Sequence, residues 1–421
     1  MKKLAICIPT YNRCDIVRKW LEQEIDIIKK YDIDVIFYDS STDNKIISLL
    51  DEFINNGNSN IFYKSIDSSI DGNEKTLMIF EEQEILENYE YIWLTHDRTI
   101  FYEEMIEYIW KCLDKKADFY IIDMYSTNND FKWIKDYDEF LIEGAYRLLR
   151  YGACIINSKK IIKGTNWKDI RNKYWKPEMI SSWHVGFYFE RMTQIKDPRI
   201  VLVRVPAQSL HLLPVNSEYK RSWYAKSLQV FATCWYNTIK TLPDIYCTKK
   251  AAYRTIEREN ISKYTVLQYK KEGGFSFFDY IKYREALKLL SPSDYPSYFW
   301  IAILPVEIAR KIIYKELKNK ILLAKKESKK ILIYGAGVYG RECATFFKDA
   351  NIKFDGFLVT NLKNNGTELL DYPIYEAKEY LKNNEAYIII SVMSYAKKGI
   401  EDYLEKLKES SKSFEYIYFY E

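Results

Sequence analysis

The stretch LAICIPTYNR, residues 4–13, decides the first element of the fold. Its five apolar residues at 4–8 predict a buried strand, which ends at Pro9 because proline has no N–H to donate to a sheet ladder. A polar and aromatic segment follows, so the strand is either an ordinary core edge or the border of a ligand site. Two later stretches, DVIFYDSSTDN at 34–44 and YIWLTHDR at 91–98, bear on that choice.

Strands and helices alternate along the first part of the chain. The apolar patterns predict strands at 4–8, 34–38, 61–65 and 90–95, separated by helices over about 15–30, 43–56 and 73–88. This alternation is typical of an α/β fold with a mainly parallel sheet covered on both faces. Ligands of such sheets bind beyond the carboxyl ends of the strands. The polar residues that follow three of these strands are therefore expected at one edge: Thr10-Tyr11-Asn12, Asp39-Ser40 and Thr95-His96-Asp97.

The length of 421 residues predicts two or three domains. With 48 % hydrophobic and 29 % charged residues, the composition is that of a soluble globular protein, and a net charge of +4 gives no reason to expect a nucleic-acid partner. The seven cysteines include no C-x-x-C pair, which suits a reducing compartment. No apolar run has the length of a signal peptide or a membrane helix, so we expect a cytoplasmic protein.

Two carboxylates at the predicted edge have a chemical interpretation. Asp39 could accept hydrogen bonds from ribose hydroxyls or from the N–H of a pyrimidine base. Asp97 could hold a divalent cation through its oxygens, and the cation would ease departure of a diphosphate. The alternative is that each is an ordinary turn carboxylate at a strand end.

The three motifs at these separations resemble the family 2 glycosyltransferases of the GT-A fold, over about residues 1–215. The family pattern is P-x-Y-N near the start, an acidic residue closing the second strand, and a D-x-D-like motif closing a later strand. The resemblance implies that Thr10 and Tyr11 lie against the nucleotide base and that Asp39 binds uracil or ribose. It also implies that Lys75 approaches the diphosphate and that Asp97 ligates the metal.

The implied activity is an inverting transfer of a sugar from a nucleotide sugar, expected to be UDP-linked, to an acceptor hydroxyl. A divalent metal, Mn or Mg, would assist, and no tightly bound organic cofactor is expected. The acceptor would be a glycan, a lipid-linked glycan or a glycoprotein in bacterial surface polysaccharide or glycoprotein assembly.

The sequence departs from the family at the catalytic end of the site. Only Asp97 of the D-x-D remains, and no acid precedes Arg191 at the family's spacing for a catalytic base. His184 is our candidate base, because an unperturbed imidazole titrates near neutral pH. Glu178 and Glu190 compete with it, and a plain core histidine is the alternative.

The other two histidines of the chain also fall near motifs. His96 adjoins the metal carboxylate and is assigned to the nucleotide site. The family often carries a late histidine that completes the metal shell, and His211 occupies a comparable place. Imidazole is an acceptable ligand for Mn-like ions.

A second α/β unit is predicted at 329–421, where KKILIYGAGVYGRE places Gly335, Gly337 and Gly340 between a strand and a helix. It resembles the small Rossmann-like domains attached to bacterial surface-polysaccharide enzymes. The glycines could bind a phosphate near the helix N-terminus. However, Asp355 lies at the start rather than the end of the next strand. We therefore favour a structural or interaction module over a nucleotide site, and a redox enzyme least.

Residues 216–328 read as a helical segment between the two units. Within it, the basic stretch 310–330 follows the apolar and aromatic YPSYFWIAILPV at 295–306. The pattern indicates either a solvated helical face or a peripheral membrane contact through 295–330, at the inner face of a plasma membrane.

A glycosyltransferase is the activity that these observations favour. Two alternatives stay open at this stage. One is a nucleotide-sugar dehydrogenase or epimerase built on the C-terminal unit. The other is a non-catalytic glycan-binding or scaffold subunit.

Overall fold

The computed structural model describes residues 2–82, 87–126, 128–206, 209–213, 225–256, 260–327, 329–362, 365–392 and 394–419. The chain divides into two compact units, residues 1–256 and 257–421. The predicted domain boundaries at 215/216 and 328 lie outside the described residues, and these boundaries stay predictions.

The first unit alternates strands and helices along most of its length. The strands are β1 (Lys2–Thr10), β2 (Asp34–Asp39), β3 (Ile61–Ser65), β4 (Tyr89–Leu94), β5 (Thr99–Phe101), β6 (Phe119–Ser126), β7 (Asp130–Trp133), β8 (Cys154–Asn157), β9 (Ile200–Pro206) and β10 (Leu210–Leu212). The α-helices are α1 (Cys14–Lys30), α2 (Lys45–Asn55), α3 (Gly72–Glu81), α4 (Glu103–Leu113), α5 (Tyr137–Leu148), α6 (Trp167–Tyr174), α7 (Trp183–Thr193), α8 (Tyr236–Thr241) and α9 (Lys249–Arg254). Two π-helices, Ser158–Ile162 and Val230–Trp235, and a 3₁₀-helix, Ile180–Ser182, complete the described elements.

Eight strands form one large sheet in the order β3-β2-β1-β4-β8-β6-β9-β7. β1 runs parallel to β2 and β4, β2 runs parallel to β3, and β6 runs parallel to β9. β8 is antiparallel to both β4 and β6, and β7 is antiparallel to β9. β5 and β10 form a separate antiparallel pair. The predicted mixed α/β fold with a parallel-rich sheet is confirmed.

Helix α1 shows how the amphipathic pattern places the helices on the sheet. Its buried side chains include Val17, Trp20, Leu21 and Ile28, at positions i, i+3, i+4 and i+11 and so on one face. The Trp20 indole N–H donates to the carbonyl oxygen of Thr99 at 2.8 Å, so the buried ring leaves no unpaired donor. Each large apolar side chain buried in this way contributes about 1.5–3 kcal/mol.

The second unit combines a helical part with a smaller sheet. Its helices are α10 (Lys263–Lys271), α11 (Phe277–Leu290), α12 (Tyr295–Ile303), α13 (Val306–Ile313), α14 (Lys315–Lys326), α15 (Val338–Asp349), α16 (Ala377–Asn383) and α17 (Ser394–Lys408). Its strands are β11 (Lys330–Tyr334), β12 (Gly356–Val359), β13 (Glu368–Leu369), β14 (Tyr372–Glu376), β15 (Ala386–Ile390) and β16 (Phe414–Tyr418), in the order β13-β14-β12-β11-β15-β16. All pairs are parallel except β13 with β14.

Among the described residues of the chain, no helix is both long enough and apolar enough to cross a membrane.

Candidate functional site

Three strand ends meet at the carboxyl edge of the large sheet. Thr10, the last residue of β1, is paired with Asp39, the last residue of β2. The carbonyl oxygen of Thr10 accepts a hydrogen bond from the backbone N–H of Ser40 at 3.2 Å. The hydroxyl of Thr10 donates to Oδ2 of Asp97, three residues beyond the end of β4, at 3.0 Å. These contacts bring Thr10, Asp39 and Asp97 to one edge of the sheet.

The Asp39 carboxylate is held by the loop that follows it. Its Oδ1 accepts hydrogen bonds from the backbone N–H of Ser41 at 2.9 Å and from the Ser41 hydroxyl at 2.5 Å. The Tyr63 hydroxyl donates to Oδ2 at 3.4 Å. The backbone N–H of Asn12 donates to the Ser41 hydroxyl at 2.8 Å, and Asn12 has φ of 51°, a conformation that asparagine tolerates better than most residues. The loops after β1 and β2 are thus bound together around Asp39.

Asp97 forms an ion pair with Arg13, the residue that ends the first motif. Arg13 Nη1 lies 3.0 Å from Asp97 Oδ1. Asp97 is buried, whereas the Arg13 side chain is 36 % exposed. Together with the Thr10 hydroxyl on Oδ2, the guanidinium satisfies both carboxylate oxygens. A buried carboxylate requires such partners, because an unpaired charge there would be strongly destabilising.

Lys75 brings a second positive charge to the same strand ends. It lies in the first turn of α3, which Asp71 caps by accepting hydrogen bonds from the N–H groups of Asn73 and Glu74. The buried ammonium donates to the carbonyl oxygen of Thr10 at 2.6 Å. Burial lowers the pKa of Lys75 to about 8, although the charges of Asp39 and Asp97 oppose this shift.

Aromatic side chains lie around these charges. The Tyr11 ring is 47 % exposed, and its centroid lies 5.9 Å from the Lys75 ammonium, within cation–π range. His96 is exposed, and its ring lies 5.8 Å from that of Tyr151. The Tyr151 hydroxyl lies 3.1 Å from Oγ1 of Thr76, which neighbours Lys75 on α3. Burial raises the pKa of Tyr151 to about 12, so this phenol is neutral at ordinary pH.

His184, the predicted base, lies in the first turn of α7 and is buried. Its Nε2 lies 3.1 Å from the carbonyl oxygen of Leu148, which can only accept, so Nε2 carries the proton. Nδ1 is buried and has no hydrogen-bond partner among the described residues. The ring packs 4.5 Å from that of Tyr151. Burial lowers the pKa of His184 to about 4, which makes it a weak base, and its catalytic role stays a prediction.

The other residues of the predicted base region have structural contacts. Glu178 is exposed, while Glu190 accepts hydrogen bonds from Lys173 at 2.6 Å and from the Tyr174 hydroxyl at 2.8 Å. Arg191 donates to the carbonyl oxygens of Lys160, Ile161 and Lys163, at 3.0, 3.0 and 3.1 Å. These contacts fasten α7 to the end of the π-helix at 158–162.

The described residues around Asp97 do not by themselves form a complete cation site. Both oxygens of Asp97 already bind protein donors. Among the described residues, no group of three or more His, Cys, Asp or Glu side chains could hold a metal ion. His211 lies in β10 opposite Ile100, with its ring 5.7 Å from that of Tyr102. The cation predicted at Asp97 and His211 therefore stays a prediction.

The glycine turn of the second unit is explained by close packing at two of its three glycines. Gly335 has φ of 110°, and a Cβ there would lie 2.7 Å from the carbonyl oxygen of Ser391. A Cβ on Gly340 would lie 1.9 Å from the carbonyl oxygen of Gly335, whereas one on Gly337 would contact nothing within 4 Å. Asp355 accepts hydrogen bonds from the Ile331 N–H at 2.9 Å and from Lys330 at 3.1 Å, at the start of the strands.

Two residues of the first site were not expected from the sequence. Arg13 ends the first motif, and a cation directly after a strand-end motif is a usable signal for an anion site. Tyr151 lies in a segment without a motif, and the pattern gave no signal for it.

Comparison with known proteins gives weak structural similarity. No protein-family model matches the chain, and no curated protein matches it. The TarS 1-349 fragment of Staphylococcus aureus is 13 % identical, with a TM-score of 0.38, over 71 % of this chain and 86 % of that one. The complex of the same fragment with UDP-GlcNAc is 13 % identical, with a TM-score of 0.33, over 71 % of this chain and 87 % of that one. The mannosyltransferase PcManGT of Pyrobaculum calidifontis, in complex with GDP-Man and Mn²⁺, is 10 % identical. Its TM-score is 0.39, over 71 % of this chain and 83 % of that one. These scores are too low to support a function for this chain.

Proposed function

We propose that this chain is a glycosyltransferase, and that its first unit binds a nucleotide-sugar donor at the carboxyl ends of β1, β2 and β4. One observation carries the proposal: Asp39, Lys75 and Asp97 meet at Thr10, and Arg13 pairs with Asp97, at the edge where parallel α/β sheets bind ligands. The expected donor is UDP-linked, and the expected acceptor is a hydroxyl of a glycan, a lipid-linked glycan or a glycoprotein.

Each group at this edge has a role in the proposal. Tyr11 is exposed enough to stack on the base. Asp39 accepts hydrogen bonds from ribose or the base in exchange for those of Ser41. Arg13, at the surface, contacts the diphosphate, since a guanidinium matches phosphate oxygens in geometry and charge. Lys75 adds a positive charge next to Thr10, to whose carbonyl oxygen it donates a hydrogen bond.

The chemical step follows from these roles. An acceptor hydroxyl attacks the anomeric carbon as the bond to the diphosphate breaks, and the acceptor proton passes to a base. Arg13 and Lys75 stabilise the negative charge that develops on the departing diphosphate. His184 stays the candidate base, with Glu178 and Glu190 as alternatives. Attack from the side opposite the leaving group would invert the anomeric carbon.

A panel of nucleotides and nucleotide sugars, screened by thermal shift and then by calorimetry, tests the proposal on the full chain. A UDP-linked sugar is expected to raise the Tm and to be hydrolysed slowly without acceptor. Stabilisation by a nicotinamide dinucleotide instead would favour the dehydrogenase or epimerase. Donor binding without any turnover would favour a non-catalytic subunit, and no response to any nucleotide would refute the proposal.

A further inference from the structure

An apolar surface lies on two helices of the second unit. Three exposed side chains on α11 and three on α12 form it: Phe277, Phe278, Ile281, Phe299, Trp300 and Ile303. We call this set the aromatic patch. Phe278 is 84 % exposed and the other five are between 38 and 49 % exposed. Clustered exposure of large apolar side chains marks an interaction surface, whereas single exposed ones are ordinary.

Ring contacts join the two halves of the patch. Phe277 lies 6.5 Å from both Phe278 and Tyr280, measured between ring centroids. Tyr280 reaches across to Phe299 at 5.9 Å, and Phe299 lies 5.4 Å from Trp300. Ile281 and Ile303 each lie four residues beyond a patch phenylalanine, on the same helix face. The patch is therefore one continuous surface.

Positive charge lies on the two helices that follow the patch in the chain. Residues 306–326, which form α13 and α14, contain seven Lys and Arg against two Asp and Glu, a net charge of +5 in a chain whose total is +4. The remaining residues together carry a net charge of −1. Residues 277–303 are themselves neutral, with three basic and three acidic side chains, and α12 has no charged side chain. The chain's excess positive charge thus directly follows the exposed aromatic side chains in the sequence.

We propose that the aromatic patch docks this protein on an anionic lipid surface. Exposed Phe and Trp side chains enter the boundary between headgroups and acyl chains, while the Lys and Arg of the helices that follow are attracted to anionic headgroups. Charge decides between occupants, because a second copy of this chain would bring the same positive segment against itself. The proposal places the contact on α11 as well as α12, N-terminal to the 295–330 segment expected from the sequence. It does not depend on the proposed glycosyltransferase activity.

Flotation of the full chain with vesicles tests the proposal. We expect binding to vesicles of phosphatidylcholine and phosphatidylglycerol at low salt, much weaker binding to phosphatidylcholine alone, and loss of binding at high salt. The double variant Phe278→Ser/Trp300→Ser should bind at least about tenfold more weakly, because two interfacial anchors are lost. Phe62→Ser, at a site in the first unit that is 43 % exposed, is the matched control and should bind as the wild type does.

Three results would overturn the proposal. They are absence of binding to both vesicle types, equal binding to both, or equal binding by the double variant and Phe62→Ser. Sedimentation velocity without lipid tests the alternative, in which a second copy of the chain occupies the patch. A dimer that the double variant disperses would assign the patch to a second copy of the chain. Circular dichroism establishes that each variant is folded.

Discussion

The Lys75 ammonium donates to the carbonyl oxygen of Thr10 at 2.6 Å, and the Thr10 hydroxyl donates to Asp97 at 3.0 Å. One residue at the end of β1 thus contacts both a buried cation and a buried carboxylate. Burial of the ammonium costs free energy on folding, because the charge loses its water. An anion bound beside it would recover part of that cost. This arrangement suits binding of a diphosphate better than it suits stability of the empty site.

Lys75→Met should therefore weaken nucleotide binding without destabilising the fold. The methionine fills similar volume and removes a charge whose burial is unfavourable. We expect UDP affinity to fall about tenfold or more, as for a lost charged interaction, while the Tm stays equal or rises. Calorimetry and thermal melting measure the two effects. Lys111→Met removes a 68 % exposed lysine from α4 and should change neither. Unchanged affinity in Lys75→Met would contradict the assignment.

The lowered pKa of Lys75 predicts how nucleotide binding depends on pH. With a pKa of about 8, the ammonium loses its proton as pH rises through that value, so UDP affinity should decline above pH 8. Binding at pH 8.5 should also take up protons, which calorimetry in buffers of different ionisation enthalpy measures. Lys75→Arg keeps its charge and should remove both effects. No proton uptake in the wild type would count against a Lys75 contribution.

The lowered pKa of Lys75 affects stability in the opposite direction to nucleotide binding: stability should rise with pH. The unfolded lysine has a pKa of about 10.4, so between pH 8 and 10 the unfolded chain binds more protons than the folded one. The Lys75 contribution to the free energy of unfolding should therefore rise with pH across this window. Urea denaturation of the wild type and Lys75→Met at pH 7.5 and 9.5 isolates it. An identical pH dependence of the two proteins would contradict the lowered pKa.

The Arg13–Asp97 ion pair predicts that nucleotide binding does not require a divalent cation. Arg13 already occupies the carboxylate that would ligate it, and contributes positive charge itself. UDP should bind with similar affinity in EDTA and in Mn²⁺, and Arg13→Gln should lower the affinity in EDTA by about tenfold. Arg18→Gln, at a surface arginine that pairs with Glu52, is the control. Binding that appears only with Mn²⁺ would restore the metal site predicted from the sequence.

The sequence predicted strand ends better than the contacts made there. β1, β2 and β4 are apolar runs followed by polar residues. This pattern is enough to predict that Thr10, Asp39 and Asp97 lie at the ends of strands. The partner of Arg13 lies 84 residues away in the chain, and no local pattern encodes that pairing. The environment of His184 likewise depends on Leu148 and Tyr151, which tertiary packing brings to it. In the second unit the sequence does not predict β14, because it contains Pro373 and proline cannot donate a hydrogen bond to a sheet.

The buried state of His184 predicts how the fold responds to acid. The folded pKa is about 4 and the unfolded pKa about 6.5, so the unfolded chain binds the extra proton between these values. The His184 contribution to stability should fall by on the order of 2 kcal/mol from pH 7.5 to 5. His184→Gln should lose that component, which urea denaturation of the variant and the wild type at the two pH values measures. For catalysis, near-normal transfer by a folded His184→Gln variant would remove His184 as the base. A large loss of kcat with KM unchanged would instead support His184 as the base.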